Sequence, residues 1–98
     1  MARNVLITGA SSGIGEALAL ECARREDTLF LCGRNGERLQ AVAEACRKLG
    51  GTVFAETVDV TDAEATAAWI EKSDSVAPIE IEFANAGVGT GEETERNV

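Results

Sequence analysis

The stretch Thr8-Gly9-Ala10-Ser11-Ser12-Gly13-Ile14-Gly15 follows the apolar run Val5-Leu6-Ile7 and leads into residues with helical spacing. No other feature constrains the fold as much. Three glycines within seven residues, set between a strand and a helix, suit a backbone that turns sharply and meets a ligand more closely than Cβ atoms allow. The first N–H groups of the following helix lack intrahelical partners, and the helix dipole is positive at that end, so the favoured ligand is an anion. The stretch reads as a phosphate-cradling turn.

The rest of the chain falls into alternating periods. Arg3 to Thr8 reads as a buried strand, and Ile14, Ala17, Leu18, Cys22 and the stem of Arg25 mark the inner face of a helix over 13–25. Thr28 to Cys32 forms a second strand, closed by Gly33-Arg34-Asn35-Gly36. Leu39, Val42, Ala43, Cys46 and Leu49 define a second helix, with Asn35 as its cap and Gly50-Gly51 as its stop. Thr52 to Val58 is a third strand. Thr61 and Glu64 have capping-box spacing and predict the start of a third helix, which turns Ala65, Ala68 and Trp69 inward. Pro78 follows that helix, and Ile79 to Ala84 forms a fourth strand before Asn85-Ala86-Gly87.

Strands and helices that alternate through short connections require parallel strands and right-handed crossovers. The predicted fold is therefore α/β, a Rossmann-like parallel sheet in the order 3-2-1-4. It is half of a doubly wound fold, with the ligand crevice between strands 1 and 4 at their carboxyl ends. Residues 1–87 form this domain; 88–98, rich in Gly and Glu without an apolar stripe, read as a flexible tail or the start of a loop. With nothing beyond it, the fourth strand leaves Ile79, Ile81 and Phe83 on an open edge, interrupted by Glu80 and Glu82, and self-association through that edge is expected.

Composition narrows the partners. Nine basic residues against seventeen acidic ones give a formal charge of -8, which repels nucleic-acid backbones and anionic lipid surfaces. Neither nucleic acid nor membrane is an expected partner. Only 4% of residues are aromatic, so the core is built from small aliphatic side chains. Cys22, Cys32 and Cys46 lack CxxC spacing and there is no histidine to complete a zinc site, so no metal is expected. They read as reduced, buried thiols of a cytoplasmic protein, and Trp69 reads as a core anchor.

The turn is neither GxGxxG nor the Walker pattern, because Ile14-Gly15-Glu16 stands where those need other residues. Its pattern is TGxxxGxG, and TGASSGIG resembles the cofactor loop of the short-chain dehydrogenase/reductase family. Three further places match that family in order: Gly33-Arg34 after strand 2, Asp59-Val60 after strand 3, and Asn85-Ala86-Gly87 after strand 4, where Ala84 replaces the first Asn of the family's NNAG. The resemblance implies a nicotinamide dinucleotide held by Gly9, Ser11, Ser12, Gly13, Ile14 and Gly15. Arg34 points to NADP over NAD, since guanidinium matches a 2′-phosphate bidentately where an acid would take the ribose hydroxyls. Ser11 or Ser12 would add a bond to that phosphate. Asp59 would accept from the adenine amino group, with Val60 giving an apolar contact or its N–H. Gly87 would let backbone approach the cofactor, and Asn85 would either touch it or tie strand 4 to its neighbour. Outside that resemblance, Arg34 is a solvated charge before a helix and Asp59 a loop acid near a helix start.

The resemblance covers only the family's N-terminal, cofactor-binding half. The family's chemistry uses a Tyr assisted by a Lys four residues on, with a Ser that polarises the carbonyl. This chain has no tyrosine, and its two lysines, Lys48 and Lys72, lie on predicted helices away from the crevice. No catalytic residue is assigned. Three readings follow: part of an NADP-dependent oxidoreductase that acts on a small carbonyl or alcohol when complete, a non-catalytic dinucleotide-binding module, or a structural or interaction protein with a degenerate site.

Overall fold

The computed structural model describes residues 2–85 and 93–97. Its elements run β1 (Asn4–Ile7), α1 (Gly13–Arg24), β2 (Thr28–Gly33), α2 (Gly36–Lys48), β3 (Thr52–Thr57), α3 (Ala63–Val76), β4 (Ile81–Asn85) and β5 (Glu93–Asn97). The sheet order is β3-β2-β1-β4-β5, parallel from β3 to β4. The predicted order 3-2-1-4 is present. β5 extends it as an antiparallel strand, pairing Glu82 with Arg96 and Asn85 with Glu93. The outer side of β4, expected as an open edge, therefore carries a strand where a tail or loop start was expected. The segment Glu93-Thr94-Glu95-Arg96-Asn97 has no apolar alternation to announce a strand; its backbone pairs with β4.

Strand side chains alternate between faces, and in the central β1 and β2 both faces are buried, which is why those two strands read as continuous apolar runs. Val5, Ile7, Leu29, Leu31 and Val53 meet Ala19, Cys22 and Ala23 of α1 and Leu39, Val42, Ala43 and Cys46 of α2. Leu6, Phe30 and Cys32 point the other way, against Val58, Ile79 and Trp69 of α3. Trp69 is an anchor of this second core, and all three cysteines are buried and free.

Helix faces differ from the spacing argument in instructive places. On α1 the buried residues are Gly15, Ala19, Cys22 and Ala23, whereas Ile14 is 42% exposed, Ala17 is exposed and Leu18 is only half-buried. The cause is distance. A Cβ on Gly15 would lie 2.2 Å from the carbonyl oxygen of Gly9, so α1 sits against the turn on its smallest residue, while Leu18 and Leu20 pack, partly buried, against the margin of the core. Arg25 is exposed as the C-cap of α1, and Leu49, 39% exposed, is the C-cap of α2 rather than part of its stripe.

Asn35 caps α2 as expected, accepting from the Arg38 N–H at 3.1 Å. On α3 the cap is Asp62 and not Thr61: the Asp62 carboxylate accepts from the Ala65 N–H at 3.1 Å, while Thr61 is turned back to bond Asp59. The inner stripe shifts with the cap, to Ala65, Trp69 and Ser73, and Ala68 is exposed. β4 begins at Ile81 rather than Ile79, because the Ile79 N–H is taken by the Asp74 carboxylate at 2.9 Å. Among the described residues no helix is long and apolar enough to cross a membrane.

Candidate functional site

The glycine-rich turn is clamped between its neighbours at the carboxyl end of the sheet. The Thr8 N–H donates to Phe83 O at 3.0 Å, tying the end of β1 to β4, and the Ala10 N–H donates to Cys32 O at 2.8 Å, tying the turn to β2. Gly9 between them has φ of 65°, a left-handed conformation that glycine adopts without strain. The Ser12 N–H and hydroxyl both donate to Gly9 O, at 3.1 and 2.8 Å, closing the turn on itself.

The start of α1 differs from those of the other two helices. Asn35 and Asp62 each place a side-chain oxygen on an N–H of the first turn, whereas Ser12 makes no side-chain cap bond to α1. The Ser12 side chain thus does not consume a first-turn donor of α1. Gly13, at the first helical position, is exposed, and a Cβ there would meet nothing within 4 Å. The two glycines differ in surroundings: Gly15 lets the helix seat on the turn, and Gly13 borders open space.

The ends of β2 and β3 lie beside the turn at the same end of the sheet. A Cβ on Gly33 would lie 2.5 Å from Ser11 Oγ, so Ser11 rests on the backbone of β2 beside the exposed Arg34. Spacing alone did not single out Gly33 as a point of close approach; its signal was a glycine at the last strand position, directly before Arg34. The Val58 N–H donates to Gly33 O at 3.1 Å, which brings Asp59 and Val60 alongside. Val60 is half-buried and packs against the Leu6–Phe30–Trp69 core.

Asp59 is exposed, and its Oδ1 accepts from Thr61 Oγ1 at 2.7 Å and from the Thr61 N–H at 3.0 Å. These two bonds, side chain first, hold its carboxyl below the usual carboxylate range, and the nearby Arg34 charge acts in the same direction. Thr61 was read as a helix cap; its actual partner makes it the residue that fixes the Asp59 carboxylate. β4 ends at Asn85, whose backbone pairs with Glu93; Ala86 and Gly87 lie outside the described residues.

Other chemistry is sparse. Among the described residues no group of three His, Cys, Asp or Glu side chains is placed to hold a metal ion. Burial pushes the thiols of Cys32 and Cys46 up to about 11, and it also raises that of Cys22. Lys72 is engaged with Glu56 at 2.7 Å on the far side of α3, beside a shallow groove lined by Phe54, Trp69 and Val76 that none of the predicted site residues lines.

Comparison with known proteins bears on the same features. A family model described as short chain dehydrogenase matches residues 3–97. The chain is similar to an uncharacterized oxidoreductase of Myxococcus xanthus, 44% identical over 88 residues that cover 89% of this chain and 35% of the relative. Among solved structures it is similar to a short-chain dehydrogenase/reductase of Serratia marcescens, with TM-score 0.82 and 30% identity over 90% of this chain and 37% of the other. It is also similar to an NAD+-bound xylitol dehydrogenase, with TM-score 0.77 and 27% identity over 82% of this chain and 31% of the other. The chain thus spans about a third of the length of these relatives. A glycine turn clamped between β2 and β4, the 3-2-1-4 parallel order and a family match over nearly every residue lead to one assignment: the chain belongs to the short-chain dehydrogenase/reductase family.

Proposed function

We propose that this chain is the NADP-binding part of an oxidoreductase that transfers hydride between NADP(H) and a small carbonyl or alcohol. The observation that carries the reading is the convergence of the open Gly13 approach, the α1 N-terminus without a side-chain cap and Arg34 at one end of the sheet. These fit a dinucleotide. The first-turn N–H groups of Gly13, Ile14 and Gly15 would hold the pyrophosphate, with Gly9 shaping the turn. Ser11, Ser12 and Arg34 would hold the 2′-phosphate. Asp59, ionised and held by Thr61, would accept from the adenine amino group while Val60 walls the ring, and Asn85, Ala86 and Gly87 would line the path toward the nicotinamide. When bound, the nicotinamide supplies the hydride chemistry.

No residue of this chain is proposed as proton donor, because it has no tyrosine and Lys72 is paired with Glu56 away from the crevice. The same fact favours a second reading, in which residues 1–98 by themselves bind the dinucleotide without turning it over. A reduced compartment such as the cytoplasm suits the three buried free thiols.

The similarity to an NAD+-bound enzyme leaves the choice of cofactor to local residues, Arg34 foremost. Titration with NADP and NAD tests it. NADP should bind more tightly, and Arg34→Asp should lose about 1.5 to 3 kcal/mol of NADP affinity as a charge-assisted contact becomes a repulsion. Equal affinities in the unmodified chain would overturn the reading.

A further inference from the structure

Two arginines stand at the carboxyl end of the sheet, and the reading above uses one. Arg38 lies in the first turn of α2, its N–H bonded to Asn35 directly after Arg34. Its Nη2 lies 3.8 Å from Oε1 of Glu16, in the first turn of α1, so the pair joins the starts of two neighbouring helices. We propose that Arg38 is a second specificity-determining cation for the 2′-phosphate, and that Glu16 opposes it by competing for the guanidinium. This inference rests on the NADP reading of the same crevice.

The pair is built to be remade. It is the longest of the described ion pairs, beyond hydrogen-bond range, and both side chains are well exposed, at 59% and 39%. The other arginines with described partners are committed elsewhere: Arg3 to the buried Asp27, Arg24 to Glu21 within α1, and Arg47 to the carbonyl of Val53. Glu16 is favoured where it stands, because a carboxylate in the first turn meets the positive end of the α1 dipole. That position draws Arg38 over the start of α1. A phosphate dianion there presents more charge than one carboxylate and accepts a bidentate guanidinium, so it takes Arg38 from Glu16. A cofactor without the 2′-phosphate has no such claim on Arg38. The carboxylate then acts as a counterweight on selectivity.

The test is the ratio of NAD to NADP dissociation constants for the protein and its Arg38→Gln, Glu16→Gln, double and Arg34→Ala variants, with thermal melting to verify folding. Arg38→Gln should lower the preference for NADP about five- to twenty-fold, as a charge-assisted contact is lost. Glu16→Gln should raise it about two- to five-fold, a gain that misfolding cannot mimic. The double variant should match Arg38→Gln, since Glu16 acts through Arg38. If Arg34→Ala collapses the preference while Arg38→Gln or Glu16→Gln leaves it unchanged, the inference fails and the NADP reading stands. If the unmodified protein shows no preference for NADP and Arg34→Ala changes nothing, the reading fails and the inference with it.

Discussion

Gly13 and Gly15 are two positions apart and predict opposite outcomes for the same substitution. Gly15→Ala drives a Cβ to 2.2 Å from the Gly9 carbonyl oxygen, a backbone atom that cannot swing away. It should destabilise the fold by about 2 to 3 kcal/mol in urea unfolding, the range of overpacking. Gly13→Ala meets nothing within 4 Å, so stability should stay within about 0.5 kcal/mol while NADP binding weakens by about tenfold or more, because the methyl group enters the ligand's approach. The thiols make a pH prediction. Burial holds Cys32 and Cys46 at about 11 in the folded chain, above their ordinary 9, so their contribution to stability is complete below about pH 9 and is lost as pH rises toward 11. The urea midpoint should fall across that window, and alkylation at pH 8 should need denaturant. Both glycines were visible in the sequence, but which of them faces open space and which serves helix packing depends on what lies opposite each.

At the scale of elements, α3 separates two readings of one short segment. Asp62→Ala should cost about 1 kcal/mol by removing the bond to Ala65, the usual loss for a capping residue, whereas Thr61→Val should leave the stability of α3 within about 0.5 kcal/mol, because its hydroxyl serves Asp59. Thermal melting of both variants checks the assignment, and equal losses would restore Thr61 as the cap. Trp69 packs α3 onto Phe30 and Cys32, so Trp69→Ala should cost about 3 to 5 kcal/mol in urea unfolding. The outer edge strand, β3, is blunted by its neighbours: Arg47 donates to Val53 O at 3.0 Å, and Lys72 bridges to Glu56 beside the exposed Phe54.

Over the whole molecule, the two ends of the sheet are built for different purposes. At the amino end of the strands, Asp27 is wholly buried and accepts from the Arg3 N–H at 2.9 Å and its guanidinium at 3.1 Å, a staple between the start of β1 and the turn before β2. The carboxyl end carries open approaches and exposed charges instead. On the far side, β5 pairs along β4 from Ile81 to Asn85 and satisfies the backbone that would otherwise form an apolar edge. A chain shortened to remove residues 93–98 should therefore self-associate, with the sedimentation coefficient rising with concentration, while the unshortened chain should associate less at each concentration. Equal behaviour of the two would show that β5 does not protect the edge.

The sequence by itself determined the α/β alternation and the parallel order 3-2-1-4, since apolar period and short connections leave few topologies open. The Asn35 cap was legible from its residue type before a helical pattern, and Leu39, Val42, Ala43 and Cys46 of α2 from a spacing that only one helix face satisfies. Only the tertiary structure decided that α1 buries Gly15, Ala19 and Ala23 beside Cys22 while Ile14 stays exposed and Leu18 packs only at the margin of the core, because close approach to the turn selects small side chains there. It also decided that Thr61 serves Asp59, that Ser11 rests on Gly33, and that a polar segment becomes β5. Hydrophobic periodicity records which residues avoid water; contact distances and strand partners depend on which backbone stands across the gap, and that is settled when the elements meet.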